Sequence, residues 1–436
     1  MKKKYLIFSC LFFLFFTACK NGSDVIEKFP IVENKYNASL PIAVDKIIPT
    51  YGSIDKTFII EGNFSGDISN MKVYFGKKRA VLVSTDGRCI TGVIPKQLAG
   101  YNSVSVVIGT DSLAPAALKF KYKQTQSVKT IAGKFGDGAD YVDGDINAAR
   151  FKEASNIGTV KGQKGDNIIV VESWWNDRVR LISLDDNKVI TLNTGMACGT
   201  PGVDNTREKF YLVGHWPDQH TIYSFSRADG WTPRLVGIKI AQSDMPGDAF
   251  SCQIGKDNNF LFVLDGQGNF ARVDLKNQKY EKIKLAGTLP TKFDMRSQLI
   301  YSKFHDCFFA SFPQEAGIFK IYNNNGTWTC EKYAGFNGAG STTGHRLTDA
   351  QFIAPYGMAV NEDGEIFVIN RDGNFINKIS GDRVELVAGK PGSGGQVNGL
   401  PLDSRFDSPQ DIAIDADGNF YIAGGWDRTV RKLSIE

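Results

Sequence analysis

Pro355-Tyr356-Gly357-Met358-Ala359-Val360, Asp363-Gly364-Glu365-Ile366-Phe367-Val368 and Asn377-Lys378-Ile379 form a stretch that recurs, without a gap, at an offset of 54. The second copy reads Pro409-Gln410-Asp411-Ile412-Ala413-Ile414, Asp417-Gly418-Asn419-Phe420-Tyr421-Ile422 and Arg431-Lys432-Leu433. Each copy is a short apolar strand, an Asp-Gly turn suited to positive φ, a second alternating strand, a polar loop and a third strand. A unit of this size cannot bury its own apolar face, so several copies must stack around a shared core. Such stacking makes each copy one blade of a β-propeller.

Working outward, four more second strands follow the same rhythm. They are Ile168-Ile169-Val170-Val171, Phe210-Tyr211-Leu212-Val213, Phe260-Leu261-Phe262-Val263 and Phe308-Phe309-Ala310, which gives six blades in all. The array starts out of phase. Val128-Lys129-Thr130-Ile131-Ala132-Gly133 matches Val384-Glu385-Leu386-Val387-Ala388-Gly389, the last strand of a blade, while the chain ends one strand short of a complete blade. The strand near Val128 is therefore expected to complete the final blade, closing the ring and removing its open edges. The blades after Pro355 and Pro409 resemble NHL repeats. The Ala-Gly lead-ins at Gly133, Gly335 and Gly389 belong to that pattern, as do Ala149-Arg150-Phe151, Ala350-Gln351-Phe352 and Ser404-Arg405-Phe406.

Ahead of the propeller the chain changes character. Lys2, Lys3 and Lys4 precede an apolar run, Leu6 to Phe16, that is too short to span a bilayer and has the size of a signal segment. Thr17-Ala18-Cys19 then resembles a bacterial lipobox, with Cys19 as the lipidated first residue of the mature chain. Residues 1–18 are read as the signal peptide and 19–40 as a polar tether. Residues 41–124 carry short alternating strands at turn spacing, the pattern of a small β-sandwich. Pro49, Gly52, Gly62-Asn63-Phe64, Phe75-Gly76 and Pro95 resemble an immunoglobulin-like IPT/TIG domain, which implies a spacer without chemistry of its own. Residues 125–436 are the propeller.

Composition narrows the function. The formal net charge is +4, and three of those charges lie in the leader, so there is no electrostatic case for nucleic acid. Membrane contact is expected through the lipid anchor alone, at the outer membrane and facing the cell exterior. Of seven cysteines, two (Cys10 and Cys19) fall in the leader, and the rest form no CxxC pair, so neither a disulfide framework nor a zinc site is expected. Cys198 and Cys252 read as core thiols.

A propeller offers ligands one face, built from the loops joining consecutive blades and those between second and third strands. Here those loops carry Trp174, Trp175, Asn176 and Asp177, then His215 and Trp216, Gln267, Gln314, Arg371, and finally Trp426 and Asp427. Four of the six tryptophans fall there. Flat rings beside amides and carboxylates suit a sugar, which offers C–H-rich faces and a rim of hydroxyls. The opposing reading is that these rings wedge between blades and only pack. The acidic loop Asp137 to Asp145 has the oxygen-rich composition of a calcium site but not EF-hand spacing, and its Asp143-Gly144 matches the turn at Asn398-Gly399. Apart from that calcium option no cofactor is expected. No catalytic set emerges, since His215, His220, His305 and His345 show no recurrent partner spacing; His215 and His345 read as face-loop residues.

A lipobox, an IPT/TIG-like sandwich and an NHL-like propeller together resemble the accessory proteins of bacterial glycan-uptake systems. That resemblance implies non-catalytic capture of a polysaccharide or oligosaccharide, beside the proteins of an outer-membrane transport complex. Two other readings stay open: a protein-interaction scaffold of an envelope complex, and a metal-dependent propeller hydrolase or lyase.

Overall fold

The computed structural model describes residues 36–435 apart from 55, 65, 96, 98–99, 114–117, 124–125, 137–140, 173–176, 216–219, 293 and 295. The signal segment and Cys19 lie outside the described residues. The fold is all-β: among the described residues the only helical pieces are three-residue 3-10 turns, and no helix is long and apolar enough to cross a membrane. The chain divides into two compact units, 1–122 and 123–436.

The first unit is a sandwich. One sheet orders the strands Ala43–Ile48, Thr57–Asn63, Cys89–Val93 and Val81–Thr85; the other orders Tyr51–Gly52, Lys119–Tyr122, Gly100–Ile108, Met71–Phe75 and Lys78–Arg79. Alternation decides which side chains turn inward: Met71, Val73 and Phe75 are buried while Lys72 is exposed. Phe75 sits between Phe58 and Phe120, edge-on to both at 5.1 Å. The Gly62-Asn63-Phe64 triplet has a local purpose. Phe64 is fully buried, and the Asn63 amide donates to the carbonyls of Asn37, Leu40 and Pro41, fixing the chain as it enters the sandwich.

The second unit contains six sheets. Blade one is Asn156–Lys161, Asp166–Glu172, Arg178–Ser183 and Lys188–Thr194, and blade two begins at Gly202–Val203. Blade three begins at Ser251–Ile254, blade four at Gln298–Ser302, blade five at Pro355–Val360 and blade six at Asp411–Ile414. Each of these first strands packs against the first strand of the next blade, and that of blade six packs against that of blade one, so the ring is closed. Middle strands are buried along nearly their whole length, as in Asp166–Glu172, because both faces of a blade are covered by neighbours.

The repeats after Pro355 and Pro409 fold alike. Gly364 and Gly418 both take φ of 81°, and the side-chain oxygens of Asn361 and Asp415 each accept from two backbone N–H groups of their turns. Closure also follows the sequence: Ser127–Gly133 pairs antiparallel with Thr429–Ser434, setting Val128 opposite Leu433, both fully buried.

The Ala-Gly lead-ins and the Phe of the next lead-in explain one another. Gly133, Gly335 and Gly389 share positive φ (82°, 88° and 83°), and Phe151, Phe352 and Phe406 lie against them where a side chain would otherwise stand. Two blades add a buried arginine beneath this joint. Arg180 donates to the carbonyls of Arg150 and Val142 and to Asp143; Arg431 donates to those of Arg405 and Val397 and to Asn398. Arg180 also meets the buried carboxylate of Glu172 at 2.7 Å.

Candidate functional site

The propeller axis has two unlike mouths. On the side of the first-to-second-strand loops it opens as a well of about 420 Å³, lined by first strands of all six blades, including Ile157, Val203, Ile254, Ile300, Met358 and Ile412. Two of its rim charges serve the fold. Asp204 accepts from Thr206 and from the N–H groups of Glu208 and Lys209, and Arg207 pairs with Asp166.

Towards the other mouth the well is stopped by a polar girdle. The starts of the first strands place Asn156, Thr200, Ser251, Gln298, Gly357 and Asp411 around the axis, all buried. Asn156 donates to Thr200 Oγ1 (2.9 Å), and Thr200 Oγ1 donates to Asp411 Oδ2 (3.2 Å). Asp411 also accepts from the N–H groups of Ile157 and Ile412. Burial nevertheless holds its carboxyl up at about 7, above the usual carboxylate range.

Above the girdle, on the side of the second-to-third-strand loops, chemistry gathers. Tyr356 is the centre. The guanidinium of Arg296 lies 5.6 Å from its ring centroid and that of Arg371 lies 5.3 Å from it, while Arg296 Nη1 donates to the Tyr356 hydroxyl at 3.3 Å. Glu153, 1% exposed, receives Gln410 Nε2 at 3.1 Å, and burial raises its pKa against the pull of Gln410, Ser155 and both arginines. Phe250, Tyr356, Arg296, Gln298, Asn156 and Gln410 line a narrow cleft here. Phe250 extends outward into a stack with His215, whose ring lies 4.8 Å away at 13°. Burial lowers the His215 pKa, with Asp248 and Asp177 opposing, so the ring is neutral at pH 7.

Of the residues chosen from sequence, His215, Asp177 and Arg371 belong to this cluster. Trp426 is tied to its edge: Gly425 lies against Gln410 and donates to the carbonyl of Ala154, leaving the Trp426 ring 60% exposed. Asp427 turns inward instead, accepting from Thr429 N and Oγ1, with burial holding it at about 7. Gln267 and Gln314 are exposed on their own loops. Trp174, Trp175, Asn176 and Trp216 lie outside the described residues. His345 stands on a short strand paired with the outermost strand of blade five, away from the axis. In the acidic loop, Asp143 engages Arg180 and Thr191, and Asp145 engages Asn147; Asp137 and Asp140 lie outside the described residues.

Phe250, Arg296, Tyr356, Gln410 and Glu153 were not singled out from sequence. A signal existed for two of them. Tyr356 and Gln410 occupy the same position of the two repeats, directly after the shared proline, and differ there while the flanking apolar positions agree. The start of a first strand faces the axis, so unlike residues at that position mark the mouth.

With this geometry in hand, comparison with known proteins is informative. Residues 41–122 match the IPT/TIG domain model. No curated protein matches the chain. A Bacteroides thetaiotaomicron protein of unknown function is similar in structure at 29% identity, with a TM-score of 0.79 over 92% of this chain and 100% of that one. An auxiliary nutrient binding protein from Bacteroides ovatus is similar at 20% identity, TM-score 0.63, covering 92% and 100%. Another from Bacteroides thetaiotaomicron is similar at 17% identity, TM-score 0.60, covering 92% and 99%. At those two identities the likeness establishes a shared fold.

Proposed function

We propose that this chain is a lipid-anchored outer-membrane protein that captures glycan at the cell exterior without performing chemistry on it. The carrying observation is the convergence of flat rings (Tyr356, Phe250, His215) with guanidinium, amide and carboxyl groups at one axial mouth. Trp426 and the half-buried His215 supply ring area for a pyranose face, the buried Tyr356 and Phe250 floor the mouth, and Arg371 supplies orientation at the hydroxyl rim. The exposed Trp426 extends the surface outward. The reading is supported by the two Bacteroides structures of the same fold described as auxiliary nutrient binding proteins. On this reading the sandwich spaces the propeller from the lipid, and the captured glycan passes to an outer-membrane transport complex.

Calorimetry of the mature chain against a panel of neutral and acidic polysaccharides tests it. At least one member binds, and Trp426→Ala weakens that binding about tenfold, the loss of one stacked ring in a partly wet site. Absence of binding across the panel, or binding unchanged by Trp426→Ala, refutes the assignment.

A further inference from the structure

We infer that the axial well, at the mouth opposite the Tyr356 cluster, is a second binding site that takes a short aliphatic peptide with free termini. Its volume of about 420 Å³ lies at the small end of the roughly 300–1,000 Å³ range of ligand pockets, which suits a peptide of a few residues. The well and the cleft at Tyr356 share no residue, so occupancy of one is measurable without the other.

The lining selects the ligand. Val203, Ile254, Ile300, Val360 and Ile414 contribute aliphatic wall from five different blades. Tyr301 is the one aromatic among the described lining residues, and its hydroxyl donates to Asp306 at 2.5 Å. A sugar therefore finds no flat face to stack on. Each first strand stands at the end of its sheet, and such an edge turns backbone N–H and C=O groups outward, here towards the axis. An extended peptide answers those groups with its own backbone, whereas an alkyl chain leaves them unmet.

Two opposite charges complete the match. Lys303 and Glu362 both line the well, both are exposed, and neither forms an ion pair or side-chain hydrogen bond among the described residues. Their loops, on blades four and five, are locked together: His305 Nε2 donates to the carbonyl of Gly364 at 3.0 Å, and the Phe304 ring lies against Gly364. Neighbouring charges are engaged elsewhere. Asp306 accepts from Lys256 and Tyr301, and Glu365 accepts from Lys378 and Asn361; Asp363, exposed on the same turn as Glu362, stands outside the lining. Lys303 and Glu362 are left to receive the carboxylate and the ammonium of a peptide whose side chains rest on the walls.

Calorimetry of the mature chain with trileucine, triglycine and N-acetyl-trileucine amide tests it. Trileucine is expected to bind at millimolar concentration or below, about tenfold more tightly than triglycine and about fivefold more tightly than the capped peptide. Lys303→Gln combined with Glu362→Gln, both at exposed positions, shrinks the advantage over the capped peptide to less than twofold. Val203→Trp and Val360→Trp, at half-buried wall positions of facing blades, fill the well and weaken trileucine about tenfold, with folding checked by the urea midpoint. Absence of trileucine binding, or equal binding of triglycine, overturns the inference. An advantage over the capped peptide that survives the double glutamine variant overturns the placement, and this variant decides it alone if neither tryptophan variant folds. Trileucine binding unmoved in a folded tryptophan variant overturns the site.

Discussion

Replacing Arg180 by Met removes the cation from a fully buried ion pair of the propeller. Arg180 and Glu172 are both 0% exposed at the side chain and meet at 2.7 Å. The carboxylate left behind retains only the N–H groups of Lys152 (2.7 Å) and Glu153 (3.2 Å). Breaking such a pair from one side costs about 3–5 kcal/mol, chiefly the penalty of a stranded charge. Arg180 also ties down the lead-in loop through Arg150, Val142 and Asp143. The upper end, about 5 kcal/mol, is therefore expected. Adding Glu172→Gln removes the stranded charge while its amide oxygen still accepts the two N–H groups, and should recover about 2 kcal/mol. All six tryptophans lie in the second unit, so fluorescence-monitored urea unfolding of the mature chain reports on the propeller alone. A cost below about 1 kcal/mol for Arg180→Met, or no recovery in the double variant, would refute the view that this pair pins the first blade to its lead-in.

Two further outcomes are expected. Asp411 titrates near 7 when folded and near 3.8 when unfolded, so the folded state holds the extra proton; its contribution is complete below about pH 4 and is lost as pH rises towards 7. Asp411→Asn should therefore lessen the fall in propeller stability across that window without abolishing it, since Asp427, Glu153 and Glu172, also raised by burial, keep their shares; unchanged pH dependence in urea melts at about pH 4, 5.5 and 7 would count against it. Cys19→Ala should move the chain from the detergent phase to the aqueous phase on partitioning of cell envelopes, and persistence in the detergent phase would remove the lipid anchor from the proposal.

Much of the propeller was legible because its signals are local. An apolar strand, an Asp-Gly turn and another apolar strand recur with few changes in blades five and six, and strand rhythm alone located the second strands of blades two to four. Closure was legible because Val128 to Gly133 carries the Ala-Gly ending that belongs to a fourth strand. The site was only partly legible, because a ring brings together residues far apart in the chain. Tyr356 comes from the start of a first strand, Glu153 and Arg296 from segments just before first strands and Arg371 from a loop, and Arg296 lies in a segment with no repeat counterpart to mark its position. Tryptophan position was a mixed guide. Trp426 is presented to solvent, whereas Trp231 and Trp328, outside the face loops, pack against Phe210 and against Phe262, Phe270 and Phe308. Asp427 shows the limit of reading a loop by composition: a carboxylate beside an exposed ring was taken for a ligand group, and it builds its own turn.

The pairing of Ser127–Gly133 with Thr429–Ser434 has a consequence for manufacture. The partners are about 300 residues apart, and joining them costs on the order of 5 kcal/mol of chain entropy, met in a single late event. A polypeptide still being synthesised, or one cut before Thr429, would display two naked edges at once: the waiting strand and the flank of Phe420–Ala423. Both would be open to stray pairing and to proteolysis. Thr429–Ser434 therefore acts as a completion seal that covers both of those edges at once.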